Sequence, residues 1–119
     1  MFNTSKADFI RIQHMLDAAN EAVSFTAGYA REDLEHNRML VLSLVKSVEI
    51  LGEAAAKVSP ETRQRFPAIP WLNIVAMRNR LIHGYFDINL DVVWVTVVDD
   101  LPPLIAELEK ILLSTLGNS

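Results

Sequence analysis

The chain has 119 residues, half of them hydrophobic and 22% charged, with a net charge of −4 and no cysteine. That length suits one domain over residues 1–119, able to bury a core without cross-links. The missing cysteines exclude disulfides, thiolate metal sites and a thiol nucleophile, and the acidic balance lacks the basic footprint of most nucleic-acid binders.

Any phosphate site therefore has to be a local cluster, where a cleft focuses the field. The N-terminal stretch from Met1 to Met15 has no continuous apolar core of a signal peptide. No apolar run approaches the roughly 20 residues of a membrane span. These features lead us to expect a soluble, cytoplasmic protein without a membrane. The apolar surplus needs cover, and a homodimer face supplies it most simply.

The first helix is expected from about Thr4 to Ala27. Ser5 followed by Asp8 is a capping signal, and Phe9, Ile12, Leu16, Ala19 and Val23 form an apolar stripe. Gly28 is the expected stop. A second helix is expected from about Asp33 to Val58. Leu40, Leu44, Val48, Leu51, Ala55 and Val58 keep helical spacing, and Val41, Leu42, Val45 and Ile50 widen the arc. Such a helix is central in a bundle or lies at an interface. Its polar residues Lys46, Glu49, Glu53 and Lys57 fall on one narrow line. That line is either a solvated face, with Glu53 and Lys57 paired four apart, or a lining of the cleft described next.

Ser59-Pro60 opens a short helix that ends before Pro67. Pro70 opens another, which runs through Met77 to about His83 and stops at Gly84. The valine-rich stretch from Val92 to Val98 favours a strand by propensity, but its continuous apolar character and helical surroundings lead us to expect a helix capped by Asn89 or Asp87. Pro102 and Pro103 should kink or restart it. The expected fold is all-α, an antiparallel bundle of four to six helices. His14 and His36 lack partners at metal spacing, and no metal or other cofactor is expected. Trp71 and Trp94 read as core or interface aromatics.

The chemistry-bearing residues cluster in Arg78-Asn79-Arg80-Leu81-Ile82-His83-Gly84-Tyr85. On a continuous helix Asn79 and His83 share a face, whereas Arg78 lies about 140° around the axis from His83. Two routes could join them. The chain can unwind near Gly84, or two copies of the helix can meet across a dimer axis. The set suits RNA cleavage without a metal. Histidine can take a proton from the 2′-hydroxyl and give one to the 5′-oxygen because its pKa of about 6.5 lies near neutrality. A guanidinium can grip the extra negative charge of the transition state with two parallel hydrogen bonds. The same residues also fit an ordinary helix end, where cations favour the negative end of the dipole.

Taken with its flanks, the segment resembles the HEPN-domain toxins of the HepT-like family, which pair with minimal nucleotidyltransferase antitoxins. The carrying pattern is Arg, four residues, His, one residue, Tyr. Val48-Glu49-Ile50-Leu51-Gly52-Glu53-Ala54-Ala55 precedes it, Ile69-Pro70-Trp71 opens its helix, and Phe86-Asp87-Ile88-Asn89-Leu90-Asp91 and Asp100-Leu101-Pro102 follow. The resemblance covers roughly Lys46 to Leu104. It implies a helical bundle that dimerises through the motif helix into a shared cleft. It implies a metal-independent endoribonuclease with Arg78 and His83 catalytic, and Asn79 and Glu53 supporting. It also implies that the partner nucleotidyltransferase silences the toxin by placing AMP on Tyr85. The alternative is a non-catalytic helical module that presents a substrate to that nucleotidyltransferase.

Overall fold

The computed structural model describes residues 5–83 and 87–117, without the side chains of His83 and residues 115–117. The expected bundle is present. Six α-helical segments follow in order: α1 (Lys6–Phe25), α2 (Arg38–Ala56), α3 (Pro60–Arg65), α4 (Trp71–Leu81), α5 (Leu90–Val95) and α6 (Leu101–Gly117). Among the described residues, the one β pairing is a two-residue ladder, β1 (Ile82–His83) against β2 (Asp87–Ile88). No helix of the described residues is long and apolar enough to cross a membrane.

α1 starts where its cap dictates. The Ser5 hydroxyl accepts the Asp8 N–H at 3.1 Å, which is worth about 1 kcal/mol at an N-cap. Ile12, Leu16 and Ala19 are buried as the stripe requires, joined by Met15, Ala18 and Ala22. Gly28, at φ 81°, turns the chain through the left-handed region.

The expected single helix from Asp33 to Val58 is broken. Arg31–Glu35 is one turn of 3₁₀ helix, and α2 begins only at Arg38. Two side chains cause the break. Asp33 bends back to accept the Ala30 N–H at 2.7 Å, and Asn37 accepts the Leu40 N–H at 3.0 Å. Each offers the backbone a cap instead of another turn. Arg31 then ties the 3₁₀ turn to α5 through Asp91 at 2.6 Å.

α2 is the central helix. Leu40, Val41, Leu44, Val45, Val48, Leu51, Ala55 and Val58 are buried, while Leu42 and Ile50 remain partly open to solvent. It packs mainly against α1 and α4. At Gly52 the approach to α4 is close: a Cβ there would lie 3.2 Å from the carbonyl oxygen of Ile74. Arg63 closes the other end of α2 by donating to the carbonyls of Ala55 (2.9 Å) and, just past the helix, Val58 (3.1 Å), where the regular i+4 donors have run out.

Asp8 links two helix starts. Only 5% exposed, its carboxylate accepts the Ser59 N–H at 3.0 Å, the Ser59 hydroxyl at 2.6 Å and the Thr62 hydroxyl at 2.5 Å. Burial pushes the carboxyl up, but the hydrogen bonds from Ser59 and Thr62 outweigh it and hold it below the ordinary range. The sequence shows Asp8 only as part of a local cap signal. Its reach across 51 residues to Ser59 is a tertiary feature.

The valine-rich stretch is helical. Asn89 caps α5 by accepting the Val92 N–H at 3.1 Å. A π turn at Thr96–Asp100 joins α5 to α6, and the Leu101 N–H reaches back five residues to Thr96. The widened turn ends where Pro102 and Pro103 can offer no N–H, so the helix accommodates them without breaking. The molecule measures 51 × 29 × 19 Å. Its thin dimension fits two helices side by side, so most helices keep an outer face.

Candidate active site

α4 carries the motif, and its start is fixed from two sides. Trp71 is buried, and its indole N–H is shared between the carbonyls of Arg63 and Phe66, both at 3.1 Å. Ile74, Met77 and Leu81 then face the core. By helical spacing, Leu72, Val75 and Asn79 fall on the outward side. Leu72 is 79% exposed and Val75 38%.

The end of α4 departs from the expectation. The helix stops at Leu81, not at His83, and Ile82 is extended at φ −121°, ψ 121°. Ile82 pairs with Ile88 and His83 with Asp87, and the Asn89 N–H takes the Leu81 carbonyl at 2.8 Å. The returning strand competes for the groups that would have continued the helix. Asn79 and His83 therefore do not share a helical face, and the 140° separation of Arg78 from His83 does not apply. The chain leaves the helix before the histidine, which corresponds to the unwinding route, two residues earlier than Gly84. Gly84, Tyr85 and the side chain of His83 lie outside the described residues.

Arg78 projects toward α2. Its Nε donates to Glu49 at 2.9 Å, and Lys46 reaches the other oxygen of the same carboxylate at 3.3 Å. The hydrogen bond from Arg78 is the main cause that holds the Glu49 carboxyl below the ordinary range, against burial and with help from Lys46. Among the described residues, Arg78 has no other ion pair or hydrogen bond, so its terminal nitrogens are unengaged. Glu49, Gly52, Glu53, Ala56, Val75 and Arg78 line an open groove of about 410 Å³ between α2 and α4. Glu49 and Glu53 thus line this groove, Glu53 while staying exposed, and Lys46, exposed and outside the lining, meets it only through its pair with Glu49. Lys57 is exposed, and the expected Glu53–Lys57 pair is not among the ion pairs of the described residues. With Arg78 about half exposed, its pair with Glu49 adds at most about 1 kcal/mol to stability.

Arg80 faces elsewhere. It donates to the Asn73 carbonyl and lines a second hollow with Asp91, Val92 and Val95. Glu49 is the site neighbour that the sequence underweighted. The polar line on α2 contained it, but the choice between Glu49 and Glu53 as the partner of Arg78 depends on where α4 lies. Among the described residues no three His, Asp or Glu side chains gather as metal ligands would.

The pattern of the ribonuclease HepT-like family matches residues 15–111, most of the chain. The chain belongs to the HepT-like ribonuclease family. Among its relatives is a Methanocaldococcus jannaschii protein named "Putative RNase MJ1380", 34% identical over 95 residues, which cover 80% of this chain and 87% of the relative. "Putative RNase TTE0752" of Caldanaerobacter subterraneus subsp. tengcongensis is 32% identical, with 85% and 90% covered. "Probable ribonuclease HepT" of Thermococcus cleftensis is 30% identical, with 84% and 91% covered. No solved structure matches the chain.

Proposed function

We propose that this HepT-like ribonuclease is the toxin of a toxin–antitoxin pair, a metal-independent endoribonuclease that uses Arg78 and His83. The observation that carries the reading is Arg78 itself. A motif arginine lies on the lip of an open groove, tethered through one edge, with its terminal nitrogens unengaged among the described residues. A structural arginine would be expected to spend its donors on carbonyls, as Arg63 does.

The chemistry follows from the groups. The 2′-oxygen attacks phosphorus as its proton leaves, and the bond to the 5′-oxygen breaks as that oxygen is protonated. The products are a 2′,3′-cyclic phosphate and a 5′-hydroxyl. The Arg78 fork neutralises the charge that builds on the equatorial oxygens. His83 moves the protons. One imidazole cannot be base and acid at once, whereas a homodimer brings two copies. The outward face of α4, with Leu72 and Val75 open to solvent, supports pairing through the motif helix, because exposed apolar side chains beside a functional motif favour an interface. Asn79 lies on the same face, where it could orient a phosphate, and Glu53 shares the groove with Arg78.

Tyr85 follows His83 by two residues. We propose that a nucleotidyltransferase antitoxin transfers AMP from ATP to its hydroxyl, the phenol oxygen losing its proton and displacing pyrophosphate, so that a bulky anion blocks a cleft built for phosphate. The test is direct. Purified wild type should cleave RNA, and His83→Ala should form the same dimer and cleave none. Co-expression with the nucleotidyltransferase should add the mass of AMP to the wild type but not to Tyr85→Phe. Cleavage retained in His83→Ala would overturn the reading.

A further inference from the structure

A guanidinium has two hydrogen-bonding edges, one with Nε and a terminal nitrogen and one with both terminal nitrogens. The second is the edge that can grip a phosphate from its far end. On Arg78 the two edges are not equivalent. Glu49 takes Nε at 2.9 Å, and no other partner engages the side chain among the described residues. The carboxylate is itself anchored, because Lys46 binds its other oxygen at 3.3 Å. The backbones hold the pair in reach: Gly52, one turn along α2 from Glu49, lets α4 approach until a Cβ would crowd the Ile74 carbonyl. An exposed arginine otherwise samples many rotamers, and each one that misses the reacting phosphate is unproductive.

We propose that Glu49 is a positioning residue of the nuclease site: it holds Arg78 by the Nε edge so that the terminal edge is presented to the scissile phosphate, with Lys46 steadying the carboxylate. The inference rests on the nuclease reading above and deepens it. It also assigns Glu49 a cost. A negative charge beside the phosphate site weakens RNA binding in the ground state while improving geometry at the transition state, so the two kinetic constants should separate.

Steady-state cleavage of an RNA oligonucleotide at low and moderate salt tests this. Glu49→Ala is expected to lower kcat by about tenfold or more. Its KM should not rise, and at low salt it should fall, because a repelling charge is gone and screening is weak. Glu49→Gln keeps an oxygen for Nε without the charge, so it should recover most of kcat with the lowered KM. In an Arg78→Ala background, adding Glu49→Ala should change the residual rate less than about twofold, since nothing is left to position. The role is overturned if Glu49→Ala matches wild type in both constants. It is equally overturned if kcat falls with KM constant at every salt and Glu49→Gln gives no rescue, which would indicate structural loss alone. If wild type itself cleaves no RNA, the nuclease reading fails and the positioning role falls with it. Wild-type cleavage with unaffected Glu49 variants removes the positioning role and leaves the nuclease reading standing.

Discussion

Asp8 and Glu49 are both carboxylates that accept hydrogen bonds from more than one donor, and both are held below the ordinary carboxyl range. Their surroundings differ. Asp8 is buried where α1 meets α3, and its donors come from one short stretch, Ser59 and Thr62. Glu49 is partly exposed at a groove, and its donors are two long cations on different helices. The buried arrangement turns hydrogen bonding into stability, because an unpaired polar group there would be costly. The open arrangement adds little stability, and what it provides is orientation. One residue type thus serves the scaffold at one place and a site at the other, and burial decides which.

The largest effect belongs to the open region and appears in rate alone. Arg78→Ala should reduce RNA cleavage by roughly 10²–10⁴-fold, the scale of losing a principal charge-stabilising group, while urea denaturation shifts by less than about 0.5 kcal/mol. A large stability loss would mean that Arg78 belongs to the scaffold. Asp8→Ala should do the reverse. It strands three donors at the α1–α3 junction and should cost about 2–4 kcal/mol in chemical denaturation, with cleavage per folded molecule unchanged.

Acid sharpens the contrast next. Asp8 is depressed in the folded state relative to about 4 when unfolded. Its contribution is therefore complete above about pH 4 and is lost as the pH falls through the lowered folded value. Wild type should lose stability more steeply than Asp8→Asn on acidification below pH 4. Equal slopes in the two denaturation series would remove Asp8 from that account. The smallest effect is at Gly52. Alanine gains about 1 kcal/mol of helix propensity but presses on the Ile74 carbonyl at 3.2 Å, a backbone atom with little room to move. The net change should be a loss below about 1 kcal/mol. A clear gain in thermal stability would show that α4 can yield.

The readability of the sequence follows the same division. Caps that act within four residues were legible at Ser5, Ser59 and Asn89, because donor and acceptor lie in one local stretch. The HepT-like family was legible from the residues around Arg78. The break at Asn37 was hidden because the polar stretch from Arg31 to Arg38 contains no glycine or proline to mark a stop. The end of α4 at Leu81 was hidden because its competitor, the strand of Asp87 and Ile88, lies beyond the turn. Asp8 and Glu49 were visible as residues, but their partners lie 51 and 29 positions away. Helical spacing fixes which residues share a face, and only packing fixes what that face meets.

The central claim is that Arg78 and His83 cleave RNA through the 2′-hydroxyl. The most direct measurement is the chemistry of the product ends after digestion of a defined RNA by purified protein in excess chelator. The account predicts 2′,3′-cyclic phosphate and 5′-hydroxyl ends from wild type, at least about 10²-fold fewer of them from Arg78→Ala, and none above background from His83→Ala. Ends of another type, cleavage that stops on chelation, or undiminished cleavage by either variant would contradict it.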